Sequence, residues 1–280
     1  MTNIEAHTVY PCAKINLGLY VTARRPDGYH DLLTAFYPVP LCDTLQVDEA
    51  RTAHWSLRTV GKAIQGRPED NLVVRVFLAL QQEFDLPPVD IYLDKHIPTG
   101  AGLGGGSSDA AEMMKRLNAH FSLGLSEDEM ERRLAVFGAD CPFFVRRRPV
   151  LATGIGDVFS PLQIALKGKT IALVKPPVFV STREAYAGVT PKMPSHDLAA
   201  TLASPVSTWR EKVFNDFETS VFRAHPKIAA VKETLYDMGA EFALMSGSGS
   251  TVFALFPHPI DELPRVFPDC FTFQSLLRQF

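Results

Sequence analysis

Residues 98–111 read Pro98-Thr99-Gly100-Ala101-Gly102-Leu103-Gly104-Gly105-Gly106-Ser107-Ser108-Asp109-Ala110-Ala111, and five of the seven residues from Gly100 to Gly106 are glycine. Such a run costs backbone entropy on folding and brings no side chain to bury. What it permits is positive φ and the close approach of a ligand to bare N–H groups. Directly downstream, Ala110, Met114, Leu117 and Phe121 recur at i, i+4, i+7 and i+11, one stripe of a helix. Ser107, Ser108 and Asp109 stand where a helix cap is expected. A glycine loop feeding a helix N-terminus gathers free amides and the positive end of the helix dipole at one spot, which suits a phosphate. A linker or tight turn is the plainer alternative, but it does not account for a strand-like run (Val89 to Leu93) on one side and an amphipathic helix on the other. No Gly-Lys-Ser/Thr closes the loop, so it is not a Walker A loop. The unbroken Gly104-Gly105-Gly106 also departs from the dinucleotide fingerprint.

Upstream, Ile15, Leu17, Leu19 and Val21 alternate with Lys14, Asn16, Gly18 and Tyr20, which predicts a strand with one buried face and with Lys14 and Asn16 together on the other. A solvated edge lysine is an equally good reading of Lys14. Pro26-Asp27-Gly28 is a turn signal, with Tyr29 and His30 at its tip. An aromatic and a histidine there can stack on and hydrogen-bond a flat base, or the tyrosine can pack back on the core. Strands are predicted over Phe36 to Val39, Thr44 to Val47 and Thr52 to Val60. A buried helix is predicted from Leu72, capped by Asp70 or Asn71 and ended before Pro87-Pro88.

Downstream, Ser126-Glu127-Asp128-Glu129 is a capping box that starts a helix running to Phe137. Ala139-Asp140-Cys141-Pro142 reads as a turn before a strand, and Arg146-Arg147-Arg148 as that strand's solvated end. A domain boundary falls around Pro161 to Lys169, giving domains 1–163 and 164–280. In the second half, Thr170 to Lys175 is a strand, Ser181 or Thr182 caps a short helix, and Pro226 starts a helix with the stripe Ile228, Val231, Leu235 and Met238. Two strands, Phe242 to Met245 and Thr251 to Phe256, flank a second glycine turn, Ser246-Gly247-Ser248-Gly249-Ser250. The pattern suggests a small α+β sandwich.

The 280 residues suffice for one large domain or two ordinary ones. With 46% hydrophobic and 21% charged residues, the composition is that of a soluble globular protein. A net charge of −3 gives no reason to expect nucleic acid or an acidic membrane as partner. The four cysteines, Cys12, Cys42, Cys141 and Cys270, are far apart and form no C-x-x-C, so reduced thiols are expected. No signal peptide or apolar span is evident, and a cytoplasmic protein is expected.

Three separated stretches resemble the three motifs of the GHMP kinase superfamily: Pro11-Cys12-Ala13-Lys14-Ile15-Asn16-Leu17, the loop from Pro98, and Met245-Ser246-Gly247-Ser248-Gly249-Ser250-Thr251. Within it, Arg25-Pro26-Asp27-Gly28-Tyr29-His30-Asp31-Leu32 and Gly138-Ala139-Asp140-Cys141-Pro142-Phe143-Phe144 resemble the members that phosphorylate cytidine-diphosphate-linked methylerythritol in non-mevalonate isoprenoid synthesis. The resemblance runs from about Pro11 to Phe256. It implies a two-domain α+β fold, the N-terminal half like ribosomal protein S5 domain 2 and the C-terminal half ferredoxin-like. It implies Asp140 as the base, with Lys14 beside it. Pro98, Thr99, Gly100, Ala101, Gly102, Leu103, Gly104, Gly105, Gly106, Ser107 and Ser108 would wrap the ATP phosphates, with Asn71 and Lys95 near the adenine. Asn16, Tyr29 and His30 would take the cytidine diphosphate side; Tyr29 and Tyr186 would hold the cytosine between two rings, with Thr182 near the diphosphate. Mg2+ is expected with ATP; its protein ligands are unassigned, with Ser107 or Ser108 as candidates. A monomer or weak homodimer is expected. Another small-molecule kinase of the superfamily, homoserine or mevalonate kinase-like, is the alternative enzyme; a non-catalytic nucleotide-binding protein of the same fold and a decarboxylase relative are the others.

Overall fold

The structure, a computed structural model, describes residues 8–64 and 66–278. In chain order it begins with β1 (Thr8–Val9), β2 (Cys12–Arg24), β3 (His30–Cys42), β4 (Thr44–Glu49), β5 (Ser56–Gly61), α1 (Leu72–Phe84) and β6 (Val89–Lys95). Then come α2 (Gly105–His120), α3 (Glu127–Leu134), α4 (Phe143–Arg146), β7 (Val150–Thr153), β8 (Val158–Pro161) and β9 (Thr170–Lys175). The rest is α5 (Thr182–Ala187), α6 (Leu198–Leu202), α7 (Glu218–Ala224), α8 (Pro226–Asp237), β10 (Phe242–Met245), β11 (Val252–Phe256), α9 (Leu263–Val266) and β12 (Phe271–Leu276). Two compact units interleave along this order, where the sequence suggests one cut near residue 163. One takes Met1–Ala13, Leu41–Thr99 and Gly104–Arg147; the other takes Lys14–Pro40, Gly100–Leu103 and Arg148–Phe280.

The first unit carries a sheet of order β1-β4-β6-β5, in which β5 and β6 are parallel and joined through α1. Alternation in β6 is clean: Val89, Ile91, Leu93 and Lys95 point inward. Val73, Val76, Phe77 and Leu80 of α1 and Met113, Met114 and Leu117 of α2 are buried. Asn71 caps α1, its Oδ1 accepting from Val73 N, and the capping box at Ser126–Glu129 forms as predicted.

The second unit has a sheet of order β2-β3-β7-β8 and another of order β10-β11-β9-β12 with every neighbouring pair antiparallel. Taken from β9, the order strand–helices–strand–strand–helix–strand in that arrangement is the ferredoxin-like topology, so the α+β expectation holds. Its core is formed by Val174, Ala185, Phe217, Ile228, Val231, Leu235, Ala243, Met245 and Ala254, among others. Among the described residues no helix is long and apolar enough to cross a membrane.

Several local expectations are corrected. The helix after the glycine loop starts at Gly105, so Ser107, Ser108 and Asp109 lie inside it and Gly104, at φ +69°, is the N-cap. Asp140 precedes the short helix α4 rather than a strand. Arg146 is no solvated strand end: it pairs with Glu127, Asp128 and Glu131, while Arg147 reaches Glu112 and Tyr10 O. Cys12 and Cys42 are not free thiols but form a disulfide. They are 30 residues apart, at the two ends of paired strands, where β2 and β3 bring them face to face.

Candidate active site

In the first unit the glycine loop delivers an open helix N-terminus. No side chain caps α2, and its first intrahelical bond here is Ser108 N to Gly104 O at 2.9 Å. The amides just before it are the donors that a helix leaves unsatisfied. Ser108 is fully buried and its Oγ has no partner among the described residues. Ser107 touches the Cys141 thiol, which burial pushes up to about 11. Asp140 lies half-buried on the turn before α4.

Behind the loop, Lys95 is 2% exposed and held by two carboxylates. Its Nζ donates to Asp109 Oδ2 at 2.6 Å and to Asp43 Oδ2. Burial opposes the ammonium charge, but Asp109 and Asp43 outweigh it and hold Lys95 above the usual lysine range. Burial raises Asp109 to about 7, with Asp43 adding to the rise and Lys95 opposing it.

In the second unit all three motifs meet. Lys14 N donates to Leu103 O at 2.9 Å, Asn16 N to Ser246 Oγ at 3.2 Å, and Ser246 Oγ to Gly102 O at 2.8 Å. Lys14 is buried; its Nζ donates to Asn16 Oδ1 at 2.7 Å and lies 4.7 Å from the Phe36 ring centroid. Asn16 Nδ2 donates to Thr34 Oγ1 at 2.9 Å, which fixes the amide's orientation. Asn215 Nδ2 donates to Met245 O and Gly247 O, both at 2.8 Å, and so holds the third motif.

The residues expected on the cytidine side also fall in the second unit. His30 and Tyr186 stack with ring centroids 4.8 Å apart and an interplanar angle of 24°, and Tyr186 meets Phe217 edge-on. Tyr29 is 62% exposed at the turn tip, and Thr182 is exposed at the start of α5. A 520 Å³ cavity of this unit, bordered by Tyr20, Lys192, His196 and Asp216, contains none of the site residues predicted from the sequence. Asp43, Thr34 and Asn215 carry much of the local hydrogen bonding and were not predicted. Each reads in sequence as an ordinary turn or strand residue.

Among the described residues no group of three His, Cys, Asp or Glu side chains could hold a metal. The donor set instead fits a polyphosphate: backbone amides, the orphaned Ser108 hydroxyl, and glycines whose backbone leaves no room for a Cβ. A Cβ on Gly102 falls 1.9 Å from Ser246 O, and one on Gly105 falls 2.9 Å from Ile97 Cγ2.

Comparison with known proteins shows the family. Residues 71–148 match the family model for the GHMP kinases N terminal domain, and residues 198–268 that for the GHMP kinases C terminal domain. The chain is 51% identical over 272 residues to a 4-diphosphocytidyl-2-C-methyl-D-erythritol kinase of Bacteroides fragilis, covering 96% of this chain and 99% of that protein. It is 53% identical over 257 residues to the protein of that name from Bacteroides thetaiotaomicron, covering 91% and 93%. A crystal structure of 4-(cytidine 5'-diphospho)-2C-methyl-D-erythritol kinase superposes with a TM-score of 0.80 at 33% identity, covering 95% and 98%. The mevalonate kinase of Methanococcus jannaschii, at TM-score 0.69 and 13% identity, shares the fold. By these matches the chain belongs to the GHMP kinase family, in the group of the 4-diphosphocytidyl-2-C-methyl-D-erythritol kinases.

Proposed function

We propose that this chain transfers the γ-phosphoryl group of ATP to the 2-hydroxyl of 4-diphosphocytidyl-2-C-methyl-D-erythritol, in non-mevalonate isoprenoid synthesis. The observation that carries the reading is the uncapped N-terminus of α2 at the end of a glycine loop, in which Gly102 and Gly105 have no room for a side chain. Such an end attracts phosphate through both its N–H groups and its dipole.

Asp140 takes the proton of the acceptor hydroxyl, and the oxygen attacks the γ-phosphorus as ADP leaves. Lys14 stabilises the charge that develops on that oxygen. Phosphoryl transfer asks for little covalent chemistry, so placement and charge neutralisation supply most of the rate. The segment Pro98 to Ser108 wraps the phosphates and Asn71 borders the adenine. Lys95, expected near the adenine, has its buried ammonium committed to Asp43 and Asp109, so its part in nucleotide binding is to support the loop. A magnesium ion, when bound with ATP, supplies charge neutralisation on the phosphates; the hydroxyls of Ser107 and Ser108 are the protein groups suited to it. Asn16, Tyr29, His30, Thr182 and Tyr186 recognise the cytidine diphosphate portion, the exposed Tyr29 ring offering a stacking face. The enzyme acts in the cytoplasm as a monomer or weak homodimer.

ADP release with magnesium-ATP, with and without this acceptor, tests the reading for the native chain and for Asp140→Asn. Turnover that requires the acceptor and falls by about 10²–10⁴-fold in the variant is expected. Turnover on homoserine or mevalonate instead would leave the family standing and overturn the substrate.

A further inference from the structure

Asp43 lies far in sequence from the glycine loop, yet its carboxylate is spent on that loop's two ends, on residues 95–97 before it and against Asp109 after it. It is fully buried between β3 and β4. Its Oδ1 accepts from His96 N at 2.6 Å and from Ile97 N at 2.8 Å, the two residues just before Pro98. Its Oδ2 accepts from Lys95 Nζ. The same ammonium donates to Asp109 at 2.6 Å, in the second turn of α2, just past the loop's far end. Gly105 completes the closure: a Cβ there falls 2.9 Å from Ile97 Cγ2 and 3.4 Å from Lys95 Nζ, so the first residue of α2 packs directly on the 95–97 segment. One line, carboxylate–ammonium–carboxylate, therefore ties residues 95–97 to residues 105–109.

What lies between these ends is the most glycine-rich stretch of the chain. A loop of this glycine content has many backbone states to lose when it closes on a ligand. A device that fixes both ends beforehand removes part of that loss from the binding step. Three ionisable groups buried together are costly and give poor stability for their number, whereas they define one geometry sharply.

We propose that Asp43 is a positioning residue for the nucleotide: acting through Lys95, it locks the two ends of the 98–104 loop in the conformation that receives phosphate. The proposal rests on the reading of that loop as the ATP site. Asp43→Asn keeps the shape and one acceptor oxygen for the His96 and Ile97 amides. It turns an NH₂ toward the Lys95 ammonium, donor against donor.

Two measurements separate the proposal from the reading beneath it. Hydrogen exchange of the nucleotide-free protein reports the lock alone: amides of residues 99–106 exchange at least about tenfold faster in Asp43→Asn, with the cores of α1 and α8 unchanged. Calorimetric binding of a non-hydrolysable ATP analogue and of cytidine diphosphate reports its consequence. The analogue weakens by about ten- to a hundredfold, the range for a charged hydrogen bond, and cytidine diphosphate does not. In turnover the loss falls on KM for ATP rather than on KM for the acceptor. In a Lys95→Met background the same Asn substitution adds little further loss, because the line is already broken. A purely structural Asp43 lowers the active fraction and leaves both affinities and the loop's exchange as they were, which overturns the proposal. So do equal losses for both ligands, or full additivity with Lys95→Met. If Asp43→Asn does not fold, Asp109→Asn breaks the line at its far end and is read by the same measurements. Native protein that binds no ATP analogue, with the exchange effect intact, sinks the ATP reading and leaves the lock.

Discussion

Cys141 follows Asp140 directly and sits fully buried before Pro142. Burial is the main cause that pushes its thiol up to about 11; the Ser107 contact pulls the other way. The thiolate is the reactive form, so at pH 8 only about one molecule in a thousand carries it at this position. The sign follows: the charged form is the one burial disfavours, so reactivity is low near neutrality and returns as pH rises. Iodoacetamide at pH 8 is expected to label Cys270, which is only partly buried, well before Cys141. The Cys141 rate is expected to climb about tenfold per pH unit between pH 7 and 9. Mass spectrometry of quenched digests reads both sites, and equal rates would refute the buried placement. The residue beside the proposed base is thus packing, not a nucleophile.

The glycine loop shows which part of an element is open to sequence reading. Glycine density and the apolar stripe at Ala110, Met114 and Leu117 announce a loop followed by a helix, and both are there. The cap did not follow from the same residues. Ser107, Ser108 and Asp109 are good N-cap types, but the chain enters the helix at Gly104 with φ +69°, which glycine adopts without strain, so the side chains are released for other contacts. Strands with strict alternation, such as β6, were also legible. β12 was not, because its half-exposed face gives Phe271-Thr272-Phe273-Gln274-Ser275-Leu276 no clean period. Two left-handed glycines separate conformational strain from close approach. Gly124, at φ +71°, has nothing within 4 Å of a Cβ, so Gly124→Ala is expected to cost about 1 kcal/mol of stability and leave turnover intact. Gly102, at φ +74°, puts a Cβ 1.9 Å from the Ser246 carbonyl, where backbone must move. Gly102→Ala is expected to break the Ser246–Gly102 bond and reduce turnover by more than about a hundredfold, since small displacements of positioning groups already cost that much. Denaturant unfolding and steady-state kinetics of the two variants check this; similar kinetics for both would show that the third motif does not support the loop.

At the scale of the whole chain, linear order misleads. A single cut near residue 163 cannot describe units whose segments alternate, with 14–40 and 100–103 lying in the unit that also holds 148–280. Nothing local in the sequence marks these crossings, because they are set by which sheet each strand joins. The Cys12–Cys42 disulfide bears on one of them. Both cysteines belong to the first unit, and the stretch between its edges, Lys14–Pro40, belongs to the second. The bond therefore closes the chain on itself where it leaves one unit and where it returns, around a loop of 30 residues. By chain entropy a loop of that length restricts the unfolded state by about 3–4 kcal/mol, an upper figure because paired strands already bring the ends together. Protein kept from reductant is accordingly expected to show two free thiols when denatured, those of Cys141 and Cys270, and four after reduction. Its denaturation midpoint is expected to fall on reduction, while the Cys12→Ser/Cys42→Ser double variant starts at the lower midpoint and does not respond to reductant. Four thiols in unreduced protein would mean that the two sulfurs are neighbours without a bond. The midpoint would then be the same with and without reductant, and the strand pairing of β2 with β3 alone would hold the crossing together.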